Sequence, residues 1–232
     1  MPSPEGKVKA TAPNGGQVSI AHKNTVGDQN MNPTYTNALF PFMKALTAAG
    51  QHISNKVQIL AAHRYVSPRG RTITPAQKEV RHIAYALKNP SPEVAELAAR
   101  TLAPILHTAE PTAERFMLMP VPASTGSTES NRRIAEALAA ELRRHGRRVT
   151  VKSTVARRHP VESSCTRRRK GGRGLTLEQH AIVAINKPIP SPEIAYYFVD
   201  NMATEGTTLQ ACHNALGYGK AIVWADKQKA KA

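Results

Sequence analysis

Acidic residues are scarce in this chain: 16 Asp and Glu stand against 32 Lys and Arg, a formal net charge of +16. So few carboxylates argue against cationic partners. They point to polyanions, either nucleic acid or phosphorylated small molecules. Aromatic residues are only 5% of the total, too few for extended platforms on which bases stack. The two cysteines, Cys165 and Cys212, lie far apart and in no metal-ligand spacing. A reduced, cytoplasmic protein without a structural metal is therefore expected. No apolar run approaches the roughly 18 residues that cross a bilayer, so no membrane association is expected. The first residues, Met-Pro-Ser-Pro-Glu-Gly, lack the apolar centre of a signal peptide. What remains is a globular composition, 41% hydrophobic over 232 residues, enough for one or two domains.

Residues 1–35 are rich in Pro, Gly, Asn, Lys and Thr and read as an arm, with one short strand at Gln17 to His22. Residues 36–50 carry a helical stripe of Leu39, Phe40, Met43 and Leu46, stopped by Gly50. Val57 to Ala62 is a short apolar run that fits a strand or a helix equally. A basic loop covers residues 67 to 74. Thr74-Pro75 and Ser91-Pro92 then open two helices, with Ser91 as a cap. Residues 36–110 thus read as a mostly helical extension or hood. After Pro111 the pattern changes to strands alternating with helices, over an α/β core at residues 111–226. A short basic tail follows at 227–232. Phe116 to Pro120 reads as a buried strand and Val121 to Ser130 as a small polar loop. A helix is expected from Asn131 to Arg144, and Val149 to Val151 begins the next strand. His180 to Ile185 and Ala221 to Ala225 supply further strands.

The most informative stretch is residues 196 to 210. Tyr196, Tyr197, Phe198 and Val199 run without alternation, as a strand buried on both faces does. Asp200 follows, then a small polar loop to Gly206-Thr207-Thr208, where a helix with a Thr cap begins. Free backbone N–H groups and the dipole at such a helix start suit a phosphate, and the Thr hydroxyls add donors. A carboxylate at the strand end suits ribose hydroxyls, or Mg2+ through water. The Ser/Thr/Gly loop after Pro120 is a second place for an anion.

Val199-Asp200-Asn201-Met202-Ala203-Thr204-Glu205-Gly206-Thr207-Thr208 resembles the phosphoribosyl-pyrophosphate (PRPP) loop of type I phosphoribosyltransferases. Asp200, Thr204, Gly206 and Thr208 match that motif. Asn201 stands where a second acid is usual, and Glu205 where a Thr is. Met119-Pro120-Val121-Pro122 resembles the corresponding strand end of the competence-factor (ComF-like) members, and of their following motif Asn131 survives. The resemblance covers about residues 114 to 226. It implies a three-layer, mainly parallel α/β sheet and transfer of ribose 5-phosphate from PRPP to a nucleobase-like nitrogen, with release of pyrophosphate and Mg2+ as cofactor. By resemblance, Asp200 is the central catalytic residue and also touches Mg2+ through water. Asp200 and Asn201 hold the ribose hydroxyls. Ala203, Thr204, Glu205, Gly206, Thr207 and Thr208 cradle the 5′-phosphate. Ala123, Ser124, Thr125, Gly126 and Ser127 take pyrophosphate. A homodimer stays open.

Residues 157 to 173 hold seven Arg or Lys against one Glu, with no helix or strand period. Two readings stand side by side. Arg157, Arg158, Arg167, Arg168, Arg169 and Lys170 form a flexible lid that closes over pyrophosphate. Alternatively, they form an arm that grips nucleic-acid phosphates without reading sequence. The second reading extends to the whole chain, as a phosphoribosyltransferase-like protein without chemistry that binds nucleic acid or a nucleotide regulator.

Overall fold

A computed structural model describes residues 52–54, 57–68 and 72–227. The expected arm at 1–35, the helix at 36–50 and the tail after Lys227 lie outside the described residues. In chain order the elements are β1 (His52–Ser54), β2 (Val57–Arg64), α1 (Pro75–Ala86), α2 (Pro92–Ala109), β3 (Arg115–Pro120), α3 (Glu129–Arg144), β4 (Arg148–Val151) and β5 (Val155–Arg157). Then come α4 (Ser164–Arg169), a 3-10 turn (Glu178–His180), β6 (Ile182–Ala184), β7 (Ile194–Ala203), α5 (Thr207–Leu216) and β8 (Lys220–Asp226).

The main sheet has the order β1-β2-β8-β7-β3-β4. All its neighbours pair in parallel except β1, which runs antiparallel to β2 at one edge. β5 and β6 form a separate antiparallel ribbon. The fold is therefore α/β with a mainly parallel sheet. No helix among the described residues is long and apolar enough to cross a membrane.

Side chains alternate between two cores. Tyr197, Val199, Ile222 and Trp224 face α1, α2 and α3, with Ile83, Leu102 and Leu138 among their partners. Tyr196, Phe198, Ala221 and Val223 face α5 and the ribbon, where Leu209, Cys212 and Val155 meet them. Both faces of β7 are covered, which explains the unbroken apolar run that marks it in the sequence.

One open alternative is resolved here and one expectation changes. Val57–Arg64 is a strand, paired in parallel with β8 from Ile59↔Ala221 to Arg64↔Asp226. Helices α1 and α2 are layers of the same core, contributing Val80, Ile83, Leu87, Leu102 and Leu106. The described part of residues 36–110 is thus not a hood set apart from a core at 111–226. Trp224, 1% exposed, belongs to this core.

Gly219 shows how tight the packing is. It sits at φ +104, and a Cβ there would meet Phe198 Cε2 at 2.9 Å and Met119 Cε at 3.2 Å. Gly219→Ala combines left-handed strain with overlap in the core. It is expected to cost about 2 kcal/mol or more, read as a lower denaturant midpoint at unchanged slope. An unchanged midpoint would contradict this packing.

Candidate functional site

β3 and β7 are neighbours, but the chain leaves them in opposite directions: β3 leads through α3 to β4, and β7 leads through α5 to β8. Their carboxyl ends therefore form the crevice where ligands of parallel sheets bind. Both loops singled out in the sequence lie there. A cleft of about 280 Å3 is lined by Ala123 and Ser124 from one loop and by Asp200, Asn201, Thr204 and Thr208 from the other. A smaller lobe of about 40 Å3 continues from it along Ala203, Glu205, Gly206 and Thr207.

β7 runs through Asp200 to Ala203, further than expected, because β8 pairs with it beyond the end of β3. Asp200 is partly buried. Its Oδ1 accepts from the Asn201 backbone N–H at 2.8 Å and from Asn131 Nδ2 at 3.1 Å. Burial pushes its pKa up to about 6, while those two donors and the nearby Arg157 charge pull the other way. Asn131, in the first turn of α3, also donates to Val121 O at 2.8 Å. It thereby ties the end of β3 to Asp200. Asn201 donates its amide to Ala84 O at 3.0 Å, which fastens α1 to the site and leaves the side-chain carbonyl for a ligand hydroxyl. Leu87 and Lys88, following α1, consequently line the cleft.

Helix α5 is not capped by a Thr. Its cap is Gly206, in the left-handed region at φ 69, and no side chain bonds to the first turn. Glycine makes this turn without a Cβ penalty, and the first backbone N–H groups have no intrahelical acceptor. Glu205 does not leave bare negative charge beside them: Arg168 Nη2 lies 2.5 Å from its carboxylate.

At the other loop, Ala123 N donates to Ser127 O at 2.8 Å and Gly126 N to Ala123 O at 2.9 Å, with Gly126 at φ 92. This tight turn brings Ala123 and Ser124 to the cleft, but Thr125, Gly126 and Ser127 do not line it.

The basic stretch is more ordered than its composition implies. Arg157 ends β5 and is half-buried; its Nε donates to Ala123 O at 2.7 Å. Ser163 caps the short helix α4 by accepting from Thr166 N at 3.1 Å. Ser163, Ser164 and Leu175 line the cleft. Arg168 reaches the lobe beside the turn before α5, whereas Arg167 donates to Gln179 Oε1 at 3.3 Å and Lys170 pairs with Glu162 at 2.6 Å. Arg158 and Arg169 are exposed and line neither space. Of the six cations expected over the site, Arg157 and Arg168 reach it.

His180 was not foreseen. It is 3% exposed, lines both the cleft and the lobe, and places Nδ1 3.4 Å from Thr208 Oγ1. Burial, reinforced by the Arg157 charge, lowers its pKa to about 4, so it is neutral at physiological pH. In the sequence it is one His among nine, and nothing in its neighbours marks it.

Among the described residues no group of three or more His, Cys, Asp or Glu side chains converges to hold a metal. Mg2+ keeps most of its waters and commonly takes only one or two protein carboxylates plus substrate phosphates. Asp200, the only acid among the described residues that line this cleft, fits that limited demand. Mg2+ delivered with a diphosphate would meet this carboxylate and would neutralise the diphosphate charge. No protein-family model matches the chain, and no curated protein matches it.

Proposed function

We propose that the protein is a phosphoribosyltransferase, transferring ribose 5-phosphate from PRPP to a nucleobase-like nitrogen acceptor. One observation carries the reading: Asp200, the Thr204–Thr208 turn and the Ala123–Ser124 turn line one cleft at the switch point between β3 and β7. A carboxylate between two anion-receiving turns matches a sugar that carries a phosphate at one end and a diphosphate at the other. The turn before α5 would take the 5′-phosphate, with free N–H groups, Thr208 N–H among them, and the hydroxyls of Thr204 and Thr207. Asp200 and Asn201 would hold the ribose hydroxyls. The Ala123–Ser124 turn, with Arg157 behind it, would take the diphosphate.

In the reaction the acceptor nitrogen forms a bond to C1 and the bond from C1 to the diphosphate oxygen breaks. Pyrophosphate departs with the electron pair. The nitrogen's proton passes to solvent. Catalysis then rests on positioning and on the charge set around the leaving group. Calorimetric titration with PRPP and Mg2+ near physiological salt should show binding in the micromolar range. The absence of binding would overturn this reading.

The charge favours a second reading. The net charge of +16 and the exposed cations Arg158, Arg169 and Lys170, turned away from the cleft, suit a nucleic-acid backbone. In that case the protein is a phosphoribosyltransferase-like fold without chemistry. It would bind DNA or RNA with a steep salt dependence that PRPP leaves unchanged.

A further inference from the structure

The two anion-receiving turns come from distant parts of the chain, yet one path of side chains joins them. Arg157 Nε donates to Ala123 O at 2.7 Å, inside the first turn. Through Nη1 the same guanidinium donates to the carbonyl of His180 and approaches His180 Nδ1 at 3.5 Å. His180 Nδ1 in turn lies 3.4 Å from the hydroxyl of Thr208, inside the second turn.

The chemistry of these groups fixes the direction of each contact. Arg has only donors, so the tautomer that suits both contacts has Nδ1 as acceptor and the ring proton on Nε2. Thr208 can then donate its hydroxyl to Nδ1. Nε2 is buried without a hydrogen-bond partner among the described residues. A buried polar atom left unmet is costly, and one facing a ligand space is commonly retained for position or for a ligand. Ala181, just after His180, takes the left-handed region at φ 51, so the backbone itself bends to seat this ring.

We infer that Arg157 and His180 are positioning residues that hold the two anion turns in register, so that each turn is built correctly only when the other is. Neither residue needs to contact the reacting carbon. Asn131 braces the same junction from the α3 side, through Val121 O and Asp200. The path explains why a half-buried arginine is kept behind a turn rather than in front of it.

The inference rests on the phosphoribosyl reading for the identity of the two anions. Ribose 5-phosphate and inorganic pyrophosphate, each with Mg2+, are therefore titrated separately by calorimetry. The wild type should bind both, and binding of neither would sink the phosphoribosyl reading itself. With that established, His180→Ala removes no charge, and Arg157→Lys keeps the charge but loses the two-way fork. Each variant is expected to weaken both anions by a similar factor, about 5- to 10-fold, in the usual range of coupling between sites. His180→Asn, which retains an acceptor and a donor, should recover most of the loss. Weakening of one anion alone, or of neither, would overturn the coupling. Should His180→Ala fail to fold, Arg157→Lys decides by the same two titrations.

Discussion

Asp200→Asn is expected to weaken PRPP binding severely and, in the same protein, to raise the thermal midpoint of the unliganded chain. The two effects have one cause. Asp200 is a carboxylate held where burial disfavours its charge, with its pKa raised from 3.8 to about 6. An amide of the same shape keeps an oxygen for Asn131 Nδ2 and for the Asn201 N–H, so the geometry around it survives. What disappears is the negative charge that a ribose diol and a hydrated Mg2+ would meet. The affinity for PRPP should fall by on the order of 100-fold, about 3 kcal/mol. Retained binding would remove Asp200 from the site.

The stability change follows from proton linkage. Between about pH 4 and pH 6 the folded chain holds a proton on Asp200 that the unfolded chain has already released. Stability therefore declines as pH rises through that window and stays lower above it. Asp200→Asn should be neutral below about pH 4, with its advantage growing to roughly 2 kcal/mol at pH 7 to 8. That corresponds to a rise of about 5 °C in midpoint for a chain of this size. PRPP binding by the wild type should weaken below pH 6, as the same carboxyl takes up its proton. A site group that destabilises its own fold is the pattern expected where binding needs a charge out of water.

Neutralising Arg167, Arg168 and Arg169 together to Gln should cut affinity for a single-stranded oligonucleotide by roughly 10- to 100-fold at low salt. The slope of log K against log salt should fall by about 2. The three residues are not equivalent, and this makes the experiment more informative. Arg168 is committed to Glu205 at 2.5 Å, beside the phosphate turn. Arg167 touches Gln179 and Arg169 is exposed. Arg168→Gln alone should weaken PRPP, because it leaves the Glu205 carboxylate facing the 5′-phosphate. The double change at Arg167 and Arg169 should weaken the oligonucleotide and spare PRPP. If all three changes leave both ligands unaffected, α4 has no part in anion binding.

Much of the architecture was legible because its signals are local. The unbroken run Tyr196 to Val199 announced β7, and the stripe of Ile134, Leu138 and Leu142 announced α3. The change of texture at Asp200 falls where β7 meets the cleft. Long-range information was harder to read. Val57–Arg64 is apolar on both faces because β8 and two layers enclose it, so period alone could not separate strand from helix. Helix α1 looked like an appendage because part of its cover comes from far along the chain; Trp224 Nε1 donates to Val80 O at 3.3 Å across 144 positions. The cap of α4, Ser163, was hidden by the run of arginines after it. His180 gains its meaning from Thr208 and Arg157, neither of which is near it in sequence.

The pairing of β2 with β8 also governs the order in which the protein can assemble. Among the described strands β2 is one of the first and β8 the last, so Ile59 waits for Ala221. A nascent chain emerging from the ribosome must carry β2 without its β8 partner until almost all of the sheet has been synthesised. The loop to be closed is long, which slows the search for this contact. In the interval, β2 offers an open edge to any other strand nearby. The net charge of +16 acts at this stage too, since it keeps unfinished copies apart.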